Sequence, residues 1–129
     1  YYFVLIQPEQ GLSTGLVYSR YDADPSAQRP QTDAFIRAFT SHDSAALRAL
    51  GGNVLQPAAA SLCPAISLIE QALYQQGALL ASMTGSGSVV FGLFEHAEQA
   101  AHAQKVLAAQ WPVCLCAQSL LPGAAGSAL

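Results

Sequence analysis

The sequence predicts an α+β fold, in which a layer of antiparallel strands is covered by helices on one face. Three observations support this prediction. Apolar runs rich in aromatic and β-branched residues begin the chain, flank a glycine-rich turn and recur near the end. The segments between these runs repeat their apolar residues at helical spacing. A length of 129 residues, 52% of them hydrophobic, suits one domain that buries its own core.

The N-terminal part predicts a strand, a short helix and a loop. Residues 1–7 form an apolar run that Pro8 closes, which is typical of a mostly buried strand. Ser13 can accept a hydrogen bond from a free N–H group of the following turn, so we expect a helix from there to about Tyr21. Residues 22–30 contain two prolines and are predicted to be a loop, the most mobile segment of the chain.

Two helices are predicted to follow this loop. Thr32 can cap the first, and the spacing of its apolar residues turns Ile36 and Phe39 toward the core. The polar residues 41–44 interrupt the pattern before a second helix at residues 45–50.

Two further helices are predicted from their prolines. Residues 51–53 break the chain, and Pro57 suits the first turn of a short helix that reaches Leu62. Pro64 can open the next helix in the same way, and Gly77 can end it. The predicted inward positions of this last helix are Ile66, Ile69 and Leu73.

The C-terminal part predicts a hairpin, a helix and a final strand. Residues 78–84 and 88–94 form the hairpin around the glycine-rich turn. Residues 95–110 follow as a helix that Pro112 ends, and residues 113–118 form the last strand. The predicted inward positions of this helix are Ala97, Ala100, Ala101 and either Val106 or Leu107.

The composition excludes several classes of function. Only 10% of the residues are charged, against about 25% in an average domain, so we expect part of the surface to be an interface. A net charge of −3 with five Lys and Arg residues cannot neutralise a nucleic-acid backbone. No apolar stretch reaches the roughly 20 residues that a bilayer requires, and no signal peptide is recognised. Neither nucleic acid nor a membrane is therefore an expected partner.

The cysteines predict neither a disulfide framework nor a zinc site. Cys63, Cys114 and Cys116 are odd in number and lack a Cys-x-x-Cys spacing. Cys114 and Cys116 share one face of a strand, where we expect them to be small buried hydrophobes. These features fit a reducing, cytoplasmic location.

The turn at residues 83–88 (MTGSGS) is the most informative motif. Its small residues let backbone N–H groups converge on an anion, which favours a loop close to a phosphate. The same letters also suit a plain hairpin turn, because glycine supplies the positive φ that such turns need.

Several motifs taken together resemble one family. They combine small or hydroxyl residues with prolines and aromatic residues at fixed places, namely residues 7–8, 11–14 with Tyr18, 53–57, 84–88 and 90–92. This pattern is similar to the C-terminal half of the GHMP kinases (galactokinase, homoserine, mevalonate and phosphomevalonate kinases). Within that family it most resembles the kinases of 4-diphosphocytidyl-2-C-methyl-D-erythritol, which serve non-mevalonate isoprenoid biosynthesis.

The resemblance implies a fold and a division into domains. It implies the GHMP kinase C-terminal domain over residues 1–122, with a ferredoxin-like four-stranded antiparallel sheet and helices on one face, and a flexible tail at residues 123–129. The N-terminal ATP-binding domain of such kinases has no counterpart in this sequence. Because the sequence also starts within a predicted strand and without Met, we expect a piece of a longer protein.

The resemblance also implies an activity. Kinases of this family transfer the γ-phosphoryl group of ATP to a substrate hydroxyl with Mg²⁺. Their ATP loop and catalytic Lys and Asp belong to the N-terminal half, so we expect no catalytic residue and no metal ligand in this chain. Alone it should be inactive and bind neither cofactor, and Lys105 should be a surface charge.

Seven residues are implied as contacts. Thr14 and Tyr18 match positions that present a hydroxyl and an aromatic ring to the cytidine diphosphate end of the substrate, although Tyr18 could equally be a half-buried core residue. The loop beside the phosphates comprises Thr84, Gly85, Ser86, Gly87 and Ser88, where a Cβ at either glycine would obstruct close approach.

One segment departs from the family pattern. Val54 stands where an acid is usual and Gln56 where Glu is common, so we interpret Asn53 as a helix cap rather than a ligand contact. The remaining polar candidates are weak, and we expect His42, His96 and His102 to be ordinary surface residues.

Two rival hypotheses remain. The chain could belong to another GHMP kinase, of the homoserine or mevalonate type. It could instead be a stand-alone ligand-binding or dimerisation module, and a homodimer would then account for the low charge. Under the leading hypothesis its partners are the small-molecule substrate and its own N-terminal ATP-binding domain.

Overall fold

The structure, a computed structural model, describes residues 1–23 and 31–120. Most of the predicted mobile loop and all of the predicted tail lie outside these residues. The described strands and helices, in chain order, are β1 (Tyr2–Gln7), α1 (Thr14–Ala23), α2 (Thr32–Thr40), α3 (Ser44–Leu50), α4 (Gln56–Leu62), α5 (Ala65–Gln75), β2 (Leu80–Met83), β3 (Val90–Phe94), α6 (Ala97–Leu107) and β4 (Val113–Gln118).

The four strands form one sheet in the order β2-β3-β1-β4. All three neighbouring pairs are antiparallel, and in the middle of the sheet Val4 lies opposite Gly92 on one side and Cys116 on the other. The first strand of the chain is therefore central, while β2 and β4 are the two edges. This arrangement confirms the predicted four-stranded antiparallel sheet.

The main core lies between one face of the sheet and helices α1, α4, α5 and α6. Side chains alternate along each strand, so Val4 and Ile6 of β1 point to this face together with Phe94 of β3, and all three are fully buried. Helix α5 packs close to β3, since a Cβ added to Gly92 would lie 2.8 Å from Cδ2 of Leu73.

A smaller core lies on the opposite face. Leu80 and Leu93 point there, and the short helices α2 and α3 cover them with Ala38 and Leu47. The predicted layer of helices on one face is thus present, and two further helices cover part of the other face.

The predicted inner faces of two helices are wrong in part, although Phe39 packs against the smaller core and Ala100 and Leu107 are buried as predicted. In α2, Ile36 is 52% exposed, and Ala38 is the buried residue. In α6, Ala97 and Ala101 are exposed, while Ala103 is fully buried. Alanine is a weak hydrophobic signal, so a helix rich in it does not reveal from sequence which side is buried.

The predicted helix boundaries are largely confirmed. The Leu16 N–H donates to Ser13 Oγ at 3.4 Å, as expected of a cap, and Gly77 follows the last helical turn of α5 with φ +95°. Pro57 lies in the first turn of α4. Thr32 is wrong as a cap, because it is already the first residue of α2 and Gln31 precedes it.

All three cysteines are free. Cys63 and Cys114 are buried, but Cys116 is exposed, because edge strand β4 is only partly covered by α6. Burial raises the pKa of the Cys114 thiol, with a smaller effect of Cys116, and burial also raises the pKa of Cys116. Within residues 1–23 and 31–120, no helix is long and apolar enough to cross a membrane.

Candidate functional site

Three segments that are distant in sequence meet at one end of the sheet. They are the start of α1, the loop before α4 and the turn between β2 and β3, which we call the glycine loop (residues 84–88). Oγ1 of Thr14 lies 3.2 Å from Oγ of Ser86 across 72 residues of sequence, and Nδ2 of Asn53 donates to the Gly85 carbonyl at 2.7 Å. These are the motifs on which the family resemblance depends.

The glycine loop is a tight turn that closes the β2–β3 hairpin. The Thr84 N–H donates to the Val89 carbonyl at 2.9 Å, and the Gly87 N–H donates to the Thr84 carbonyl at 3.1 Å. Gly85 has φ +54° and Gly87 has φ +95°, a region of backbone conformation that other residues rarely adopt. Glycine is therefore favoured at both positions for a reason of conformation.

The two glycines differ in the space around them. A Cβ at Gly87 would lie 2.9 Å from Sδ of Met83 and 3.0 Å from Cδ1 of Leu12, so the close approach there is between parts of this chain. A Cβ at Gly85 would meet no described protein atom within 4 Å. The space next to Gly85 is open.

Several backbone N–H groups of the glycine loop have no hydrogen-bond partner in the described part of the chain. None of the hydrogen bonds found among the described residues uses the N–H groups of Gly85 or Ser86. The hydroxyls of Thr14 and Ser86 lie beside them, and the start of α1 adds the partial positive charge of a helix N-terminus. This combination of donors, without a bulky side chain, can bind an anion.

Helix α1 presents one exposed face next to this loop. Thr14 and Tyr18 are one turn apart, and both are exposed, the Tyr18 side chain at 49%. The helix is held by Val17, which is fully buried, and by Tyr21, which packs against the main core. Tyr18 is therefore not a core aromatic residue, and its ring is accessible.

The interpretation of Asn53 as a helix cap is wrong. Leu55 occupies the N-cap position of α4, without a side-chain cap bond, and Oδ1 of Asn53 accepts a hydrogen bond from the Leu55 N–H at 3.0 Å to form a turn before the helix. Its Nδ2 donates to the carbonyls of Met83 and Gly85. Sequence alone does not show this role, because the partners lie about thirty residues further along the chain.

A mostly apolar cavity of about 380 Å³ adjoins the Asn53 loop on the α2 side of the sheet. Its walls include Phe35, Val54, Leu80 and Phe91. The sequence did not predict this cavity, because its walls come from elements far apart in the chain.

The remaining candidates lie on the surface, as predicted. His42, His96 and His102 are exposed, and His42 stacks on the ring of Tyr1 with centroids 4.8 Å apart. Lys105 is exposed on α6. The part of the chain that the structure describes contains no group of three or more His, Cys, Asp or Glu residues that could hold a metal ion.

Comparison with known proteins decides the family. The family model described as "GHMP kinases C terminal" matches residues 35–113, more than half of the chain. The chain belongs to the GHMP kinase C-terminal family. The family resemblance inferred from the motifs is thereby confirmed.

Relatives of this GHMP domain are kinases from several bacteria. It is 36% identical over 97 residues to the 4-diphosphocytidyl-2-C-methyl-D-erythritol kinase of Pelotomaculum thermopropionicum, a match covering 75% of this chain and 34% of that kinase. Kinases with the same name from Paracidovorax citrulli and Parvibaculum lavamentivorans are 43% and 39% identical, over 74% and 87% of this chain and 30% and 39% of theirs. The chain thus spans about a third of the length of these relatives.

Solved structures show the same fold. The crystal structure of a 4-(cytidine 5'-diphospho)-2C-methyl-D-erythritol kinase matches with a TM-score of 0.75 at 24% identity, over 89% of this chain and 41% of that one. The mevalonate kinase of L. major matches with a TM-score of 0.55 at 21% identity, over 91% and 42%. The predicted GHMP kinase C-terminal fold is confirmed.

Proposed function

We propose that this GHMP domain is the C-terminal part of a kinase that phosphorylates 4-diphosphocytidyl-2-C-methyl-D-erythritol with ATP, a step of non-mevalonate isoprenoid biosynthesis. The observation that carries the proposal is the contact between Thr14 and Ser86, which joins the predicted substrate segment to the predicted phosphate loop. The names of the relatives described above support the same substrate.

The proposed substrate contacts lie on α1. A flat exposed ring can stack on a pyrimidine base, and such contacts are worth about 1–3 kcal/mol. The Tyr18 ring is accessible for stacking, and Thr14 lies one turn closer to the glycine loop on the same face. A nucleotide lying along this face would have its base at Tyr18 and its phosphates toward residues 84–88.

The glycine loop is proposed to brace the phosphates rather than to perform chemistry. The free N–H groups of Gly85 and Ser86 suit an anion, while no acid or base of this chain is placed among residues 84–88. ATP would supply the phosphoryl group and Mg²⁺ would neutralise its charge. Both belong to the parent enzyme, whose N-terminal ATP-binding domain supplies the catalytic residues, so the isolated chain should be inactive.

The extent and setting of the domain are part of this proposal. The domain is taken to comprise residues 1–122, with the remainder as a tail, and to act in the cytoplasm, which agrees with three free cysteines. Its partners are the small-molecule substrate and the N-terminal ATP-binding domain of the parent. Homodimer formation remains a prediction that light scattering can test.

The proposal is tested in the kinase that carries this chain by changing Tyr18. Tyr18→Ala should raise the KM for the cytidine substrate about 5- to 100-fold, while Tyr18→Phe keeps the ring and should stay close to the parent. Leu16→Ala is the matched control, since Leu16 is also an exposed apolar side chain on α1, at 61%, but is not proposed as a contact. If the enzyme is indifferent to Tyr18→Ala, or prefers mevalonate or homoserine, the cytidine assignment is wrong.

A further inference from the structure

The outer edge of β2 is occupied by side-chain amides. Because β2 is an edge strand, the N–H and C=O groups on its outer side have no neighbouring strand. At Met83, however, the N–H donates to Oε1 of Gln56 at 2.9 Å, and the carbonyl accepts from Nδ2 of Asn53 at 2.9 Å. Two amide side chains thus take the place of a further strand at the residue before the glycine loop.

Asn53 extends this contact into the glycine loop itself. Its Nδ2 also donates to the Gly85 carbonyl at 2.7 Å, so both hydrogens of the amide are used. Its Oδ1 accepts from the Leu55 N–H at 3.0 Å, which fixes which end of the amide faces the loop. Asparagine satisfies three backbone groups here, and neither aspartate nor alanine can do the same.

The side-chain amide of Gln56 is also hydrogen-bonded at both its oxygen and its nitrogen. Its Oε1 accepts from Ser82 Oγ at 3.3 Å as well as from the Met83 N–H, and Ser82 is only 4% exposed. Its Nε2 donates to a carboxylate oxygen of Glu70 on α5. An ionised carboxylate accepts hydrogen bonds but cannot donate them, so Glu70 dictates the orientation of the Gln56 amide.

These hydrogen bonds fix the orientation of the peptide groups in and before the glycine loop. The carbonyls of Met83 and Gly85 are held toward Asn53, and the Thr84 carbonyl is held by the Gly87 N–H. With these oxygens engaged, the N–H groups of Gly85 and Ser86 are the donors left for an anion on the more exposed part of the loop, whereas Ser88, whose N–H also has no partner among the described residues, is only 5% exposed. We propose that Asn53, Gln56 and Glu70, the amide clamp, are positioning residues that hold the glycine loop in its anion-accepting conformation.

The first test uses Asn53→Asp in the 129-residue chain. This change keeps the shape and the acceptor for the Leu55 N–H but removes both donors and sets a carboxylate against two carbonyl oxygens. Hydrogen exchange at the Thr84 and Gly87 amides should accelerate roughly tenfold or more relative to the parent at the same pH. As the pH falls and the new carboxyl takes up a proton, it regains a donor, and the ratio should return toward one.

The matched control is Gln10→Glu. Nε2 of Gln10 also donates to a backbone carbonyl, that of Leu62 at 3.0 Å, but at the C-terminal end of α4, whereas Gln56 is at its first residue. The same replacement of an amide by a carboxylate at residue 10 should leave hydrogen exchange at the Thr84 and Gly87 amides unchanged. Equal acceleration at the Leu93 amide in the core would show that Asn53 serves stability alone and would overturn the proposal.

The Gln56–Glu70 pair offers a swap. Gln56→Glu places two carboxylates in contact and should loosen the loop, whereas combining it with Glu70→Gln restores one amide and one carboxylate. The double variant should recover most of the protection of the Thr84 amide. If the double variant recovers no protection of the Thr84 amide, Gln56 and Glu70 do not help to position the loop.

The functional readout rests on the proposed kinase activity. In the kinase that carries this chain, Asn53→Asp should lower kcat at least about tenfold at neutral pH, and the loss should shrink as the pH falls and the new carboxyl takes up a proton. A loosened loop with unchanged kcat would refute the positioning role and leave the kinase assignment intact. If the unsubstituted protein transfers no phosphate, the proposed function fails, and the exchange measurements still decide whether the clamp fixes the loop.

Discussion

Substituting the two glycines of the glycine loop by alanine should have unequal effects on stability. Gly87→Ala combines two costs, since its φ of +95° disfavours any side chain and its Cβ would lie 2.9 Å from Sδ of Met83. A left-handed conformation costs about 1–2 kcal/mol, and overpacking adds about 1–3 kcal/mol, so we expect a loss of about 2–5 kcal/mol. Gly85→Ala incurs only the first cost, because its Cβ would meet no described atom within 4 Å.

Urea unfolding of the two variants, followed by circular dichroism, measures this difference. A domain of this size has a free energy of unfolding of roughly 6–15 kcal/mol, so a difference of about 2 kcal/mol is resolved at a common m-value. In a double-mutant cycle, Gly87→Ala should cost less in a Met83→Ala background than in the parent, because the close contact with Sδ of Met83 is then absent. If Gly85→Ala lowers the free energy of unfolding by as much as Gly87→Ala, or by more, the reasoning is refuted.

Four further predictions concern stability and the cysteines. Asp43→Ala should cost about 1 kcal/mol in urea unfolding, because Asp43 Oδ1 accepts the Ala46 N–H at 3.1 Å as the cap of α3. Leu47→Ala should cost about 2–5 kcal/mol of unfolding free energy, whereas Ile36→Ala, at a half-exposed position, should cost well under half as much. Equal losses would contradict the smaller core described above. Burial raises the pKa of Cys114 above its usual 9.0, because the folded state favours the neutral thiol. The free energy of unfolding should therefore fall as the pH rises above about 9, and it should fall less in Cys114→Ala. Iodoacetamide should label the exposed Cys116 before the buried Cys114.

The sheet could be predicted from sequence because its signals are local. The strands are short apolar runs with clear ends, such as residues 1–7 closed by Pro8 and residues 113–118 opened by Pro112. Their order could not be predicted from these runs, since pairing β1 between β3 and β4 depends on contacts across most of the chain. The sequence analysis therefore predicted the strands and their antiparallel arrangement but not their order.

Helix orientation was predicted where large side chains mark one face. Ile66, Ile69 and Leu73 of α5 are fully buried, as expected. In α2, Phe35, Ile36 and Phe39 offer two competing faces, and the second core selects the side of Ala38. A helix that covers the less obvious face of a sheet is not revealed by its own apolar pattern.

The candidate site was predicted in its parts but not in its connections. The sequence identified Thr14, Tyr18 and the glycine loop as positions of interest, and the structure places Thr14 against Ser86. The role of Asn53 was missed, because an amide that bonds two carbonyls across the fold looks in sequence like a helix cap. Short polar side chains acquire such roles only from tertiary contacts.

The most direct test of the account is phosphoryl transfer by the kinase that carries this chain, measured with ATP and Mg²⁺ on three acceptors. The proposal predicts rapid transfer to 4-diphosphocytidyl-2-C-methyl-D-erythritol, little transfer to mevalonate or homoserine, and none by the 129-residue chain alone. Transfer to mevalonate or homoserine in preference to the cytidine substrate, or transfer by the 129-residue chain alone, would contradict it.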